Sequence, residues 1–510
     1  MDIKKALIVI LALGAAAALR AQPGSDCHWM LGFAPNAGGP LFGTSAMDFC
    51  GPELEIYPLG SPLSFHLTNA SISSEAGELL FYTNGIAVVN ALHQIMPNGA
   101  GLNPSDHGLE EAGMALPQGA LILPFPGRPG EYCIIYADYF LDFSSFPPFR
   151  ATPLYYARVD MALDEGKGDL AEKNVALSAD TLEHGKIAAV RHANGRDWWI
   201  CVPRYGDRSI LRFLLTPEGI EALGPTPPGT LSQVGYGNAA FSPDGAYYAS
   251  HSTVDDTYID LLAFDRCSGE FTAIGPPLDP ESFDFGGIAF SPNSRFLYCT
   301  AWDRLLQFDL AASPVSSSMT VVAEYDGYVE QNPGQSPAGT YFFMPALGPD
   351  GRIFIIPYHS SLFMHVIEQP DLAGPDCQAV QRGIELPALN ISLPNFPNYR
   401  LGALEDSPCD SIMTSSVERA AGWSVRLWPN PAQGHCMVSL EQAGAAGAPL
   451  PQSMNLRLFD SLGRLLRKEP WPAGAPEWRL SLAGLPPGVY YASIRAEGQA
   501  VAVERLVVVR

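Results

Sequence analysis

Charge is scarce in this chain, and positive charge is scarcest: charged residues make up 16% of 510, with 30 Lys and Arg against 53 Asp and Glu. The formal charge of −23 is also unevenly placed, since residues 1–21 carry +2, residues 423–510 carry +3 and the body between them carries −28. A body that acidic repels phosphate backbones and anionic lipid, so nucleic acid is excluded as a partner, and the acidic surface is expected to serve solubility. Catalytic motifs are missing too. The sequence has no C-x-x-C pair, no G-x-S-x-G elbow, no H-E-x-x-H helix and no phosphate-binding glycine loop. Ser242-Pro243-Asp244-Gly245 is no sialidase Asp-box, because its glycine directly follows the aspartate. Neither cofactor nor metal is expected.

Long apolar runs are absent after the first 21 residues. Lys4 and Lys5 precede an apolar stretch from Ala6 to Leu19, and Ala21 is a small residue suited to the position before a cut. Residues 1–21 are therefore expected to be a signal peptide cleaved before Gln22, leaving no transmembrane segment. Such a route permits disulfides, but nine cysteines leave at least one unpaired. Cys133, Cys201 and Cys299 lie in apolar strand runs and read as buried thiols, whereas Cys27, Cys50, Cys267, Cys377, Cys409 and Cys436 lie nearer turns and are the candidates for bridges.

What the chain has in quantity is glycine and proline, 49 and 46 residues, set between short apolar runs. One pattern recurs: an apolar strand, a tight turn, and a second strand rich in aromatic and β-branched residues. The clearest turns are Ser242-Pro243-Asp244-Gly245, Ser291-Pro292-Asn293-Ser294 and Gly348-Pro349-Asp350-Gly351, beginning 49 and 57 residues apart. Proline presets the first central dihedral of a type I turn, and glycine accepts the positive φ that follows. Weaker copies occur at His192-Ala193-Asn194-Gly195, between Gly119–Leu123 and Glu131–Ala137, and between Ala70–Ser73 and Glu78–Thr83. A third strand follows each hairpin, as in Tyr258 to Asp265 and Arg304 to Asp309, and a less regular run closes the unit.

Four short strands in a unit of about 50 residues, repeated, predict an all-β fold: a β-propeller of six four-stranded blades over residues 22–405. The strand-like Met47–Cys50 and Leu54–Tyr57 are expected to complete the last blade, unless segments 28–60 and 386–404 together make a seventh. The hairpins resemble the blades of WD-repeat-like and TolB-type propellers, although Trp302-Asp303 opens a third strand instead of ending a blade. Leu393-Pro394-Asn395-Phe396-Pro397-Asn398-Tyr399-Arg400-Leu401 is similar to stretches of exported Bacteroidota propellers.

After a linker at 406–422, residues 423–510 alternate in the way of a small antiparallel sandwich. Their motifs are Trp428-Pro429-Asn430-Pro431-Ala432, Leu456-Arg457-Leu458-Phe459-Asp460-Ser461-Leu462-Gly463-Arg464 and Leu485-Pro486-Pro487-Gly488-Val489-Tyr490-Tyr491. Together these resemble the C-terminal sorting domain of type IX secretion cargo in Bacteroidota. That resemblance implies handling by the type IX machinery and a destination in the medium or at the outer-membrane surface.

In a propeller, the loops between second and third strands and those joining blades share one face, the usual ligand face. The candidates there are Asp138 and Asp142 flanking an aromatic insertion, Arg204 and Asp207, His251, Asp255 and Asp256, Trp302 and Asp303, and Tyr358 with His359. The blade-joining loops add His184, Tyr236, Phe285 and Tyr341. Rings beside carboxylates suit glycan or protein recognition, in adhesion or nutrient capture. The alternative is a polysaccharide hydrolase or lyase whose carboxylates come from separate blades, with His251, Asp255 and Asp256 as acid and base.

Overall fold

The computed structural model describes residues 24–509 apart from 36, 104–111, 142–148, 228–234, 255, 282–284, 405–406, 408, 410–422, 443–453, 461–464, 473–474, 476 and 497–498. Residues 1–21, expected to be a signal peptide, Asp142, Asp255 and most of the expected 406–422 linker lie outside the described residues. The chain forms two compact units, the first ending at Leu401.

The first unit is a β-propeller. Among the described residues its sheets follow the chain in order, one of three strands, six of four and a two-stranded ribbon before the last, and each four-stranded sheet pairs its strands in sequence order. We number them as blades 1–7, spanning 28–59, 70–100, 120–178, 188–225, 239–273, 286–324 and 342–390. Each packs a side-chain layer on the next. Met30 and Phe65 meet Tyr82 between blades 1 and 2; Ile72, Ile134 and Trp198 share the layers joining blades 2, 3 and 4. Trp199 meets Tyr248 and Phe264 between blades 4 and 5, so both tryptophans of that strand are interblade residues, on opposite faces as period-2 alternation requires. Leu261 meets Ile288 between blades 5 and 6, and Tyr298 meets Ile353 between blades 6 and 7. Trp29 and Phe49 then pack against Phe354, Met364 and Ile384 of blade 7, which closes the ring.

The closure differs from the expected one. His28–Phe33, Gly43–Asp48 and Glu55–Leu59 do not complete the last blade but form a three-stranded sheet of their own. Its first strand runs opposite to Ala70–Ser73 of blade 2: Ser73 N–H donates to Ser25, Ser71 Oγ to His28 and Asn69 Nδ2 to Met30. By polarity, then, these are second, third and fourth strands. The extended stretch after blade 7 lies beside them, with Leu393 and Phe396 packed into the same cluster as Trp29. Residues 28–59 thus make a three-stranded blade of their own, and the stretch after residue 390 packs beside it without joining its sheet.

The hairpin turns hold by side-chain bonds that the sequence encodes. Ser242 Oγ donates to Asp244 Oδ1 at 2.6 Å and accepts the Tyr247 N–H at 2.9 Å; Asp244 Oδ1 accepts the Ala246 N–H. Ser291 and Asn293 repeat the arrangement, and there Ser294 adopts the φ of 60° that Gly245 supplies more cheaply at 74°.

The second unit is a seven-stranded arrangement around Val425, Leu427, Val438, Leu456, Leu458, Leu480, Ala492, Ile494 and Leu506. Trp423–Gln433 pairs first with His435–Gln442, shifts register after Trp428, and at Ala432 meets Val508 in parallel. Pro429 and Pro431 suit that shift because neither can donate to a ladder, and Asn430 Oδ1 accepts the Val507 N–H at 2.8 Å. Cys27 and Cys50 form a disulfide, and Cys267 in the first unit is disulfide-bonded too. Cys133, Cys201 and Cys299 are buried thiols as expected; Cys377 and Cys436, named as candidates for bridges, are buried thiols too. Among the described residues no helix is long and apolar enough to cross a membrane.

Candidate functional site

Propeller topology gathers side chains that are far apart in sequence at one end of the ring. Tyr236, Phe285 and Tyr341 precede the innermost strands of blades 5, 6 and 7, Ala239–Phe241, Gly286–Phe290 and Phe342–Leu347. Trp302 and Tyr358 follow the second strands of blades 6 and 7, Phe296–Ala301 and Ile353–Pro357. A blade's first strand starts, and its second strand ends, at the same face. The five rings therefore converge.

They form a continuous row. Tyr236 lies 5.2 Å from Phe285, Phe285 stacks on Tyr358 at 5.0 Å, Tyr358 lies 4.8 Å from Trp302, and Trp302 stacks on Tyr341 at 4.6 Å. Tyr325 extends the row past Tyr341 at 4.3 Å, and His184 extends it past Tyr236 at 5.2 Å. All are partly exposed except His184, and Tyr358 is 38% exposed. Trp302 holds its place with a φ of 58°, an uncommon backbone for a bulky residue, in the short link Trp302-Asp303. The Phe342 N–H donates to Trp302 O at 2.8 Å, so neighbouring blade 7 helps to fix that link. Strain of this kind concentrates at functional positions, where the surroundings over-determine it.

A buried carboxylate holds one flank of the row. Glu330 sits in the ribbon Val329–Glu330 with Ala338–Gly339, between Tyr325 and Tyr341. It accepts bonds from Ser361 Oγ at 2.5 Å, the Leu362 N–H at 3.0 Å and Asn332 Nδ2 at 2.7 Å, while His359 Nε2 stands 3.8 Å away. Burial would raise its pKa, but the His359 ring, the Ser361 hydroxyl and the other donors outweigh it and hold the carboxyl at about 2. Sequence reasoning did not name Glu330, and its local context of Val329 and Gln331 gives no signal.

The interior beneath holds a buried ion pair. Lys186 Nζ lies 2.9 Å from Glu183 and donates to His251 O at 2.7 Å and Ser252 Oγ at 3.2 Å, tying blade 4 to blade 5. Burial raises the Glu183 carboxyl despite that partner. His251 was read as a loop residue, but the strand Tyr247–Val254 runs through it and its side chain is fully buried. Burial, with Lys186 beside it, pushes His251 down to about 3, so near neutral pH the ring is uncharged and a weak base.

The other sequence candidates are dispersed. Asp138 is buried and its Oδ1 accepts the Tyr139 N–H. Arg204 and Asp207 pair with each other, and Asp207 also takes the Ser209 hydroxyl and N–H, which makes a closed local turn. Asp256 opens a third strand opposite Val254. Asp303 is 63% exposed beside Trp302, with Arg304 Nε at 3.8 Å. The structure thus brings Trp302 and Tyr358 together in the row, with Asp303 and His359 next to them in the chain, whereas Arg204 and Asp207 pair with each other and His251 is buried in a strand. Asp142 and Asp255 lie outside the described residues.

A cavity of about 860 Å³ occupies the axis. It reaches the opposite end, among the turns at Pro243, Pro292 and Gly348–Gly351, and the extended stretch 391–398 forms one wall. Asn395 anchors that wall: its Nδ2 donates to Ile187 O at 2.8 Å and Ala120 O at 3.0 Å, and its Oδ1 accepts from Gln118 at 3.2 Å.

No curated protein matches the chain. Solved structures that resemble it include a functionally unknown protein from Desulfotomaculum acetoxidans, 13% identical over 72% of this chain and 99% of that one, with a TM-score of 0.42. Others are a putative 6-phosphogluconolactonase from Bacteroides fragilis (12%, 58% and 94%, TM-score 0.31) and apo AztD from Citrobacter koseri (11%, 73% and 98%, TM-score 0.34). Residues 426–509 match the family described as the secretion system C-terminal sorting domain. The C-terminal unit is thus a type IX sorting domain, and the protein that carries it is exported to the outer-membrane surface or the medium.

Proposed function

We propose that this exported propeller is a recognition module that binds carbohydrate at the aromatic row of blades 5–7. The observation that carries the reading is the run of contacting rings from Tyr236 to Tyr325, with Trp302 held at a positive φ and Tyr358 exposed. Partly exposed rings supply contact area to the apolar faces of a sugar, while Asp303 and His359 supply polar contacts that orient it. Residues 1–21 would serve as the signal peptide of the first export step. A glycan array probed with the full chain and with Trp302→Ala tests this reading. Sugars retained by the first and released by the second support it; sugars held equally by both would sink it.

A further inference from the structure

The axial cavity is a second site, at the other end of the ring from the aromatic row. Its walls on the side of blades 5–7 are the free edges of the innermost strands, and alternation decides which backbone groups face it. Ser242, Ser291 and Gly348 donate their N–H groups across the hairpin to Tyr247, Phe296 and Arg352. Phe241, Phe290 and Leu347, one residue earlier, therefore turn N–H and C=O toward the axis. All three line the cavity, and these groups meet no partner among the described residues.

One level up, the protein shows what such an edge accepts. Gln118 presents its carboxamide to Ala239, accepting the N–H at 2.8 Å and donating to the C=O at 2.9 Å. Asn238 does the same to Ile288, at 2.7 and 2.9 Å. Pro345, the corresponding residue of blade 7, has no N–H to satisfy. On the far wall the chain's own extended stretch 391–400 serves as occupant, held through the Asn395 N–H to Asn69 O, the Asn395 side chain and Tyr399 Oη to Ile122 O. Gln118 and Asn238 each offer such an edge a donor and an acceptor side by side, as an extended peptide residue does.

We propose that the open half of the axial channel binds an extended peptide, which pairs with the inner edges of blades 5–7 at Phe241, Phe290 and Leu347. Its free amino end lies among Asp350, Glu368 and Asp371, the carboxylates at the cavity's turn end. Asp350 and Glu368 share one cation, Arg352, Asp26 pairs with Arg400, and Asp371 spends one oxygen on the Asn293 N–H, so four lining carboxylates against two guanidinium groups leave net negative charge for an ammonium. The volume lies within the range of ligand pockets.

The test uses the full chain and a random hexapeptide library with free amino ends, beside the same library N-acetylated. Free-ended peptides bind, acetylation weakens them at least tenfold, and bound peptide slows hydrogen exchange at Phe241, Phe290 and Leu347. Leu347→Pro removes one axial donor at an edge where Pro345 already lacks one, and weakens binding about tenfold. If that variant does not fold, the exchange measurement on the native chain decides. Peptide binding that leaves those three amides unprotected, no binding by either library, or displacement of peptide by neutral oligosaccharides would overturn the proposal.

Discussion

Replacing Glu330 by Gln should loosen one flank of the aromatic row while leaving the blades intact. Glu330 is 4% exposed and its carboxyl titrates at about 2, against an ordinary 4.5. Because the folded value is depressed, the stabilisation is complete above pH 4.5 and is lost as the pH falls from there toward 2. The difference corresponds to about 3 kcal/mol near neutral pH. Glutamine keeps the shape but turns an NH₂ toward donors that a carboxylate accepted from, so most of that amount is forfeited. The loss is local, since the glutamine oxygen still accepts from the Leu362 N–H and Asn332 Nδ2, while its NH₂ replaces the oxygen that took the Ser361 hydroxyl and faced His359. Hydrogen exchange at pH 7 should show residues 326–341 and 358–362 opening about 100-fold more often in Glu330→Gln, with the inner strands unchanged. Sugar affinity should fall with it, because Tyr325 and Tyr341 flank the ribbon. Exchange within threefold of the wild type would refute this reasoning, and so would a loss spread evenly over all seven blades.

Asn395→Ala removes two donated bonds and one accepted bond at a buried junction of blades 3 and 4. At about 1 kcal/mol each, the cost is about 3 kcal/mol, and the thermal midpoint of the propeller should drop by about 4 °C; an unchanged midpoint would show that stretch 391–400 is not a structural wall. The thiols make a further check. Cys133, Cys201, Cys299, Cys377 and Cys436 are buried, and burial raises the pKa of each. A thiol reagent at pH 8 should label none of them in the native protein and five on unfolding without reductant. Any fast native labelling would contradict their placement.

The blades were legible because their information is local. Ser-Pro-Asp-Gly states a turn within four residues, and the 49-residue spacing from Ser242 to Ser291 states a repeat. Blade 1 was harder because it has three strands, so it lacks the hairpin turn after an innermost strand by which the other blades announce themselves. The site divides in the same way. Trp302 and Tyr358 stand in loops that the repeat places at one end of the ring. Glu330 lies in a ribbon outside the repeat, and its partners, Ser361 and Leu362, are more than thirty residues on. His251 misled because the hairpin Tyr247–Val254 with Asp256–Phe264 is longer than its counterparts in blades 2, 4, 6 and 7, which carries the histidine from an expected loop into a strand between blades. The edge groups of Phe241, Phe290 and Leu347 are backbone, which no side-chain pattern announces.

The most direct test of carbohydrate recognition at the row is a titration of the full chain, Trp302→Ala and Tyr358→Ala with the best-retained array sugar, while the mixture is assayed for cleavage products. The account predicts saturable binding without turnover, weakened about tenfold by either substitution, the loss of one ring contact worth about 1 kcal/mol or more. Equal affinity in all three proteins would contradict it, and so would release of shortened sugar.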